Sequence, residues 1–229
     1  MDATSWIGLW AILFVVTHLG MTARSIRPRL VAAMGERPYL GIYSLISFAT
    51  LIPLTIEFFR NKHSGAMLWN LSGEATVRVF SITLMLLALV FVVGAFITPS
   101  PAGLAPNAKF EPRGMLKFTR QPLFVGLSLF GFAHMLMNGW VGDLLYFGSF
   151  PVVSIIGAWH QDQRKLVQLG DDYRKFREQT SILPGAALIS GRIQLSAADL
   201  SIPALVVGVA ATVLLLIAHQ RIFGGNPLG

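Results

Sequence analysis

Cysteine is absent from this 229-residue chain. Disulfides, thiolate metal sites and cysteine nucleophiles are therefore excluded together, and His, Met and carboxylates remain as the available metal ligands. Charge is also scarce. Asp, Glu, Lys and Arg make up 13% of the residues against 54% hydrophobic ones, and the mean hydropathy is +0.62. Long polar tracts and internal repeats are missing as well, which leaves no room for a separate water-soluble domain. What fills the chain instead is a series of apolar runs, each near the roughly 20 helical residues needed to cross about 30 Å of hydrocarbon. The solvent these imply is the lipid bilayer, and residues 1–229 read as one all-α integral membrane domain.

Apolar runs predict six transmembrane helices at about 6–23, 39–59, 77–98, 122–139, 143–159 and 202–219. The pair at 122–159 is divided by "NGWVGD", whose two Gly, Asn and Asp are turn chemistry. The N-terminal run is followed, not preceded, by its Arg cluster and lacks a small-residue cleavage site, so it is expected to stay as the first span. Between helices five and six, "DDYRKFREQ" is charged and amphipathic. It leads into "TSILPGAALISGR", where Pro and Gly forbid a continuous helix. This segment is expected to lie along the cytoplasmic interface as a surface helix and lid.

The net charge of +7 has no interleaving of bases with aromatics, so nucleic acid is not an expected partner. Its distribution instead gives topology. All of the 18 Lys and Arg residues except Arg60, Lys62, Arg78 and Arg221 fall in the connections after helices one, three and five. Such an excess marks the cytoplasmic side, and places both termini in the periplasm of a bacterial inner membrane.

Three of the five histidines, His63, His160 and His219, sit at span ends, where an interfacial position accounts for them. His18 and His134 differ, because each lies about 18 Å along its helix at 1.5 Å per residue. The two helices run in opposite directions, so both imidazoles fall at a similar depth. An ionisable side chain at such depth is costly, faces other helices and marks a functional site by default. Two readings stand: each imidazole bonds a carbonyl or hydroxyl on a neighbouring helix, or the pair shares a ligand. Neither has a second ligand at i+3 or i+4, which leaves tetrahedral zinc short of donors. Haem iron needs only two axial ligands. Arg24, Arg27 and Arg120, at the inner boundary, are candidates to meet the haem propionates.

"THLGMTARSIRPRL", "GERPYLGIYSLIS", "KFTRQPLFVGLSLFGFAHMLMNGW" and "AWHQDQRKLVQLGDDYRKFREQTSILPGAALISGR" occur in order over residues 10–193. On these the chain resembles the NnrU family of bacterial membrane proteins and its isomerase relatives in plastids, which act on a cis-carotene. That resemblance implies haem b ligated by His18 and His134, and redox-gated cis-trans isomerisation of a lipophilic, carotenoid-like polyene reaching the site from lipid. The family name also implies a link to nitrite and nitric oxide metabolism, which fits a non-enzymatic haem-binding component. The chain departs from the pattern twice: Gln121 stands where a His precedes the helix-four Pro, and Gly131 stands where the isomerases have a cysteine. A further alternative, an S-adenosylmethionine-dependent membrane methyltransferase of the isoprenylcysteine type, is echoed by "TRQP" and "DYRKFREQTSILP", yet Gln121 and "HQDQR" replace its His and paired glutamates.

Overall fold

A computed structural model describes residues 1–103 and 109–228. Its helices are α1 (Ala3–Thr22), α2 (Arg27–Met34), α3 (Glu36–Arg60), α4 (Ala75–Ile97), α5 (Met115–Phe118), α6 (Pro122–Met137), α7 (Val141–Gln179), α8 (Ala186–Ile189) and α9 (Ile202–Phe223). Among the described residues, α1, α3, α4, α7 and α9 are long and apolar enough to cross a membrane. At 16 residues, α6 covers only about 24 Å and is a shorter apolar helix. The fold class is therefore all-α and membrane-spanning, as the apolar runs predict. Exposed side chains agree with a lipid solvent: Leu45, Phe48, Val79, Phe96, Leu214 and Ile217 project outward, a surface that water would penalise and hydrocarbon does not.

The helix ends follow local chemistry. Asp2 caps α1 by accepting the Ser5 amide at 2.7 Å. Ser201 caps α9 and Gly224 ends it in the left-handed conformation, where a glycine pays no Cβ penalty. The α6–α7 connection is more than the turn that "NGWVGD" suggests. Residues Gly139–Trp140 (β2) pair antiparallel with Met67–Trp69 (β1). A Cβ at Gly139 would stand 2.1 Å from the Trp69 carbonyl oxygen, so only glycine permits this approach.

Two compact units make up the chain, one of residues 1–81 and 131–160, the other of residues 82–130 and 161–229. In the first, α1 and α3 run antiparallel, as the Tyr39 hydroxyl on Met21 O (3.0 Å) and the Tyr43 hydroxyl on His18 show. The short α2 joins them, with Arg27 ion-paired to Glu36 and its guanidinium 5.0 Å over the Tyr39 ring. Phe58 stacks on Tyr146 at 4.1 Å and meets Phe147 edge-on, which ties α3 to α7. A Cβ on Gly131 would fall 2.4 Å from Pro151 Cδ and 2.6 Å from Phe147 O. The backbone of α6 therefore lies directly against α7.

In the second unit, Val90, Met115 and Ala204 form one core and Ala102, Leu116, Tyr173 and Phe176 another. The amphipathic segment predicted between the last two spans continues α7 rather than starting a separate element. It breaks at Gly170, whose φ of 61° and ψ of −136° are open to glycine alone. A straight helix would hold residues 162 and 173 about 16 Å apart. Here the Tyr173 hydroxyl donates to Asp162 at 2.7 Å, so the chain turns back on itself at Gly170.

Candidate functional site

His18 faces α3 from the C-terminal half of α1. Its Nδ1 lies 3.1 Å from Ser47 Oγ and its Nε2 2.5 Å from the Tyr43 hydroxyl. Tyr43 and Ser47 are one helical turn apart, so both fall on the same face of α3. Phe14, one turn before His18, completes the surroundings at 5.3 Å between ring centroids. Both nitrogens of this imidazole are thus held by hydroxyls, one of which belongs to the half-buried Tyr43, whose ring packs against His18 and Tyr39.

His134 lies three residues before the end of α6 in the same unit. Its ring stacks on Phe147 with centroids 4.4 Å apart and an interplanar angle of 20°. The backbone around it is fixed from two sides. Asn138 Nδ2 donates to His134 O at 2.9 Å, and Ser81 Oγ donates to the neighbouring Ala133 O at 2.8 Å. Each imidazole therefore sits on a rigid helix with a partner that sets its plane, which is what precise placement of a ligating side chain requires. Among the described residues, no group of three or more His, Cys, Asp or Glu is arranged to hold a metal ion. His18 and His134 are single imidazoles on separate helices of the unit.

The arginines suggested for propionates have different surroundings. Arg24 is exposed, and Arg27 is engaged with Glu36 and Tyr39. Arg120 belongs to the second unit and is buried in an ion pair: Nε and Nη2 reach Asp162 at 2.6 and 3.2 Å, while Nη1 donates to Thr180 O at 3.0 Å. All three edges of that guanidinium are in use within the fold, so packing accounts for Arg120 without a ligand. Asp162 also accepts from Tyr173 and from Arg177 Nε at 3.1 Å. Asp162, within "HQDQR", is thus paired with Arg120, Tyr173 and Arg177.

Three features were not visible from residue spacing. The Tyr43 and Ser47 hydroxyls on His18 are one; their signal is the "YSLIS" stretch itself, polar residues four apart in a lipid-facing run. Second is the pair of His63 and Asp143, 2.8 Å from Nδ1 to Oδ2, in which Asp143 is wholly buried in the first turn of α7. His63 holds a φ of 59° there, and its amide also donates to Asp143 Oδ1 at 3.3 Å. Third is the reason for Gly131: its site admits no side chain, so the cysteine of the isomerase pattern has no space in this packing.

Comparison with known proteins gives a consistent set. The family model described as NnrU protein matches residues 7–227. The 15-cis-zeta-carotene isomerase, chloroplastic, of Zea mays is 29% identical over 197 residues, which is 82% of this chain and 51% of that protein. Its counterpart in Arabidopsis thaliana is 27% identical over 192 residues, 79% of this chain and 49% of that protein. The chain thus spans about half the length of the curated relatives it matches. No solved structure matches it.

Proposed function

Since the chain belongs to the NnrU family, we propose that it is a membrane-embedded cis-trans isomerase of a carotenoid-like polyene that works with haem b held by His18 and His134. The observation that carries this reading is the similarity to two carotene isomerases across about four-fifths of the chain. The donor set suits the cofactor. Neutral imidazole is a common axial ligand of haem iron, and rotation of one phenol, Tyr43, uncovers His18 Nε2 while Ser47 keeps the ring oriented through Nδ1.

Bound haem would supply a one-electron iron centre able to polarise a double bond, with reduction as the gate. The chain's own residues do the rest. His18 and His134 hold the group from two helices, and Ser47 and Phe147 fix the planes of the two rings. Phe14, Phe58 and Phe147 give apolar walls that exclude water and accept a hydrocarbon chain entering sideways from the bilayer. Isomerisation needs no further reactant, since atoms and electrons balance within the polyene. The Lys and Arg distribution supports placement in a bacterial inner membrane with both termini periplasmic.

The test is to incubate the detergent-purified protein with 15-cis-zeta-carotene under reducing and oxidising conditions and follow the isomer ratio by chromatography. A ratio that moves toward the trans form only with reductant, and not with His18→Ala or His134→Ala, supports the proposal. An unchanged ratio from a haem-loaded protein replaces it with a non-catalytic haem-binding role.

A further inference from the structure

Among the described residues, Asp162 is the one carboxylate bonded within a group of three guanidiniums that the second unit brings together. Arg120 and Arg177 both bond Asp162, and Arg192 Nη1 shares the Thr180 carbonyl with Arg120 at 3.2 Å while also donating to Glu178 O at 3.0 Å. Tyr173, the remaining donor to Asp162, is a neutral phenol. One negative charge is thus set against three positive ones in a region where the side chain of Asp162 is fully buried and that of Arg120 nearly so. Arg177 is part-exposed and Arg192 exposed, so the excess positive charge faces outward, where it attracts an anion.

Among the described residues, no second carboxylate is paired with Arg177 or Arg192. Arg174 is occupied with Asp171. Glu178, next to Arg177 in sequence, is exposed and forms no ion pair among the described residues. Arg177 has its Nε anchored on Asp162 and its side chain 32% exposed. Among the described residues its two terminal nitrogens have no hydrogen-bond partner, and neither does Arg192 Nη2. Arg192 is itself pinned by Ser190 Oγ at Nε (2.9 Å) and by the Glu178 and Thr180 carbonyls at Nη1. These are guanidiniums with one edge fixed by the fold and the other turned outward, an arrangement preorganised to receive an oxyanion. A tetrahedral phosphate, with oxygens pointing several ways, can accept from two separate guanidiniums at once. Arg177 and Arg192 also follow the apolar run of α7 in the chain, and basic residues next to a span attract lipid phosphates.

We propose that Arg177 and Arg192 form a phosphate-binding fork, braced by Arg120, Asp162 and Thr180, that takes the phosphate of an anionic lipid head group or free inorganic phosphate. The site is independent of the isomerase reading, because it uses neither His18 nor His134.

The experiment uses the full chain in a neutral detergent. Binding of phosphatidylglycerol, of phosphatidic acid and of uncharged diacylglycerol is followed by native mass spectrometry, and inorganic phosphate is titrated separately against equal ionic strengths of chloride. The expected result is a retained adduct with the phosphorylated lipids and none with diacylglycerol. Arg192→Gln should weaken it about tenfold, the scale of one charged hydrogen bond. Arg177→Lys, which keeps the charge but loses the fork, should do the same, while Arg174→Gln and Lys175→Gln leave it intact. Saturable binding of inorganic phosphate with the same dependence on Arg192 identifies free phosphate as the ligand and upholds the site. Equal weakening by Arg174→Gln and Lys175→Gln would reveal a diffuse basic surface and overturn the proposal. So would binding of no phosphate-bearing probe by the wild type, whose folding is checked by its unfolding midpoint.

Discussion

Replacing Asp162 by Ala isolates the interaction that closes the second unit. The carboxylate is fully buried and accepts from Arg120 at 2.6 and 3.2 Å, from Tyr173 at 2.7 Å and from Arg177 at 3.1 Å. Its loss leaves the Arg120 guanidinium, whose side chain is 7% exposed, as an uncompensated charge inside the protein, which costs about 3–5 kcal/mol. The chain reversal at Gly170 is stabilised by the same group through Tyr173 and Arg177, so the damage is expected to spread to residues 171–181. For a chain of this size each kcal/mol moves the unfolding midpoint by about 2–4 °C, which gives a fall of roughly 6–20 °C for Asp162→Ala. Tryptophan fluorescence during heating in detergent measures it. The double variant Arg120→Met with Asp162→Leu removes both charges and should recover most of the loss, because a buried pair contributes little beyond what an apolar pair does. An Asp162→Ala protein that unfolds within about 2 °C of wild type, or a double variant as unstable as the single one, would refute this view of the cluster.

Gly131→Ala should destabilise the first unit by about 1–3 kcal/mol through overpacking, since its Cβ meets Pro151 and Phe147 O; thermal unfolding in detergent reads the loss. Ser47→Ala should lower haem retention by about tenfold or more, the usual cost of removing the group that orients a ligating His. Tyr43→Phe, which frees His18 Nε2, should retain haem at least as well as wild type, and haem titration compares the two. Lys117 and then Ser196 hold the Asp199 carboxyl well below the ordinary aspartate value of 3.8. A lowered carboxyl contributes stability that is present above its unfolded value and lost as pH falls toward the folded one. The midpoint of wild type relative to Asp199→Asn should therefore be constant near neutral pH and shrink below about pH 4, as acid titration of both proteins would show.

The spans were legible because lipid imposes one strong rule, an apolar run of fixed length: five of the six runs end within a few residues of the helices found, while the run at 143–159 lies inside α7, which continues to Gln179. The same rule set His18 and His134 apart from the other histidines in the sequence. What the rule does not reach is pairing. Nothing near Arg120 indicates that its carboxylate lies 42 residues on, and Asp162 is reached by Tyr173 only because Gly170 adopts a backbone closed to other residues. The separation of α6 from α7 was read correctly as a break, yet its pairing with residues 67–69 depends on the missing side chain of Gly139. Tyr43 and Ser47 had a visible periodicity, but the hydroxyls acquire meaning only once antiparallel packing of α1 and α3 brings His18 between them.

The most direct test of the haem assignment is the absorption spectrum of the purified protein, oxidised and reduced, beside those of His18→Ala and His134→Ala. The account predicts a Soret band in the wild type that shifts on reduction and is lost or strongly altered in both variants, with all three proteins folded. A wild type without such a band after expression with ample haem, or a band unchanged in either variant, would contradict it.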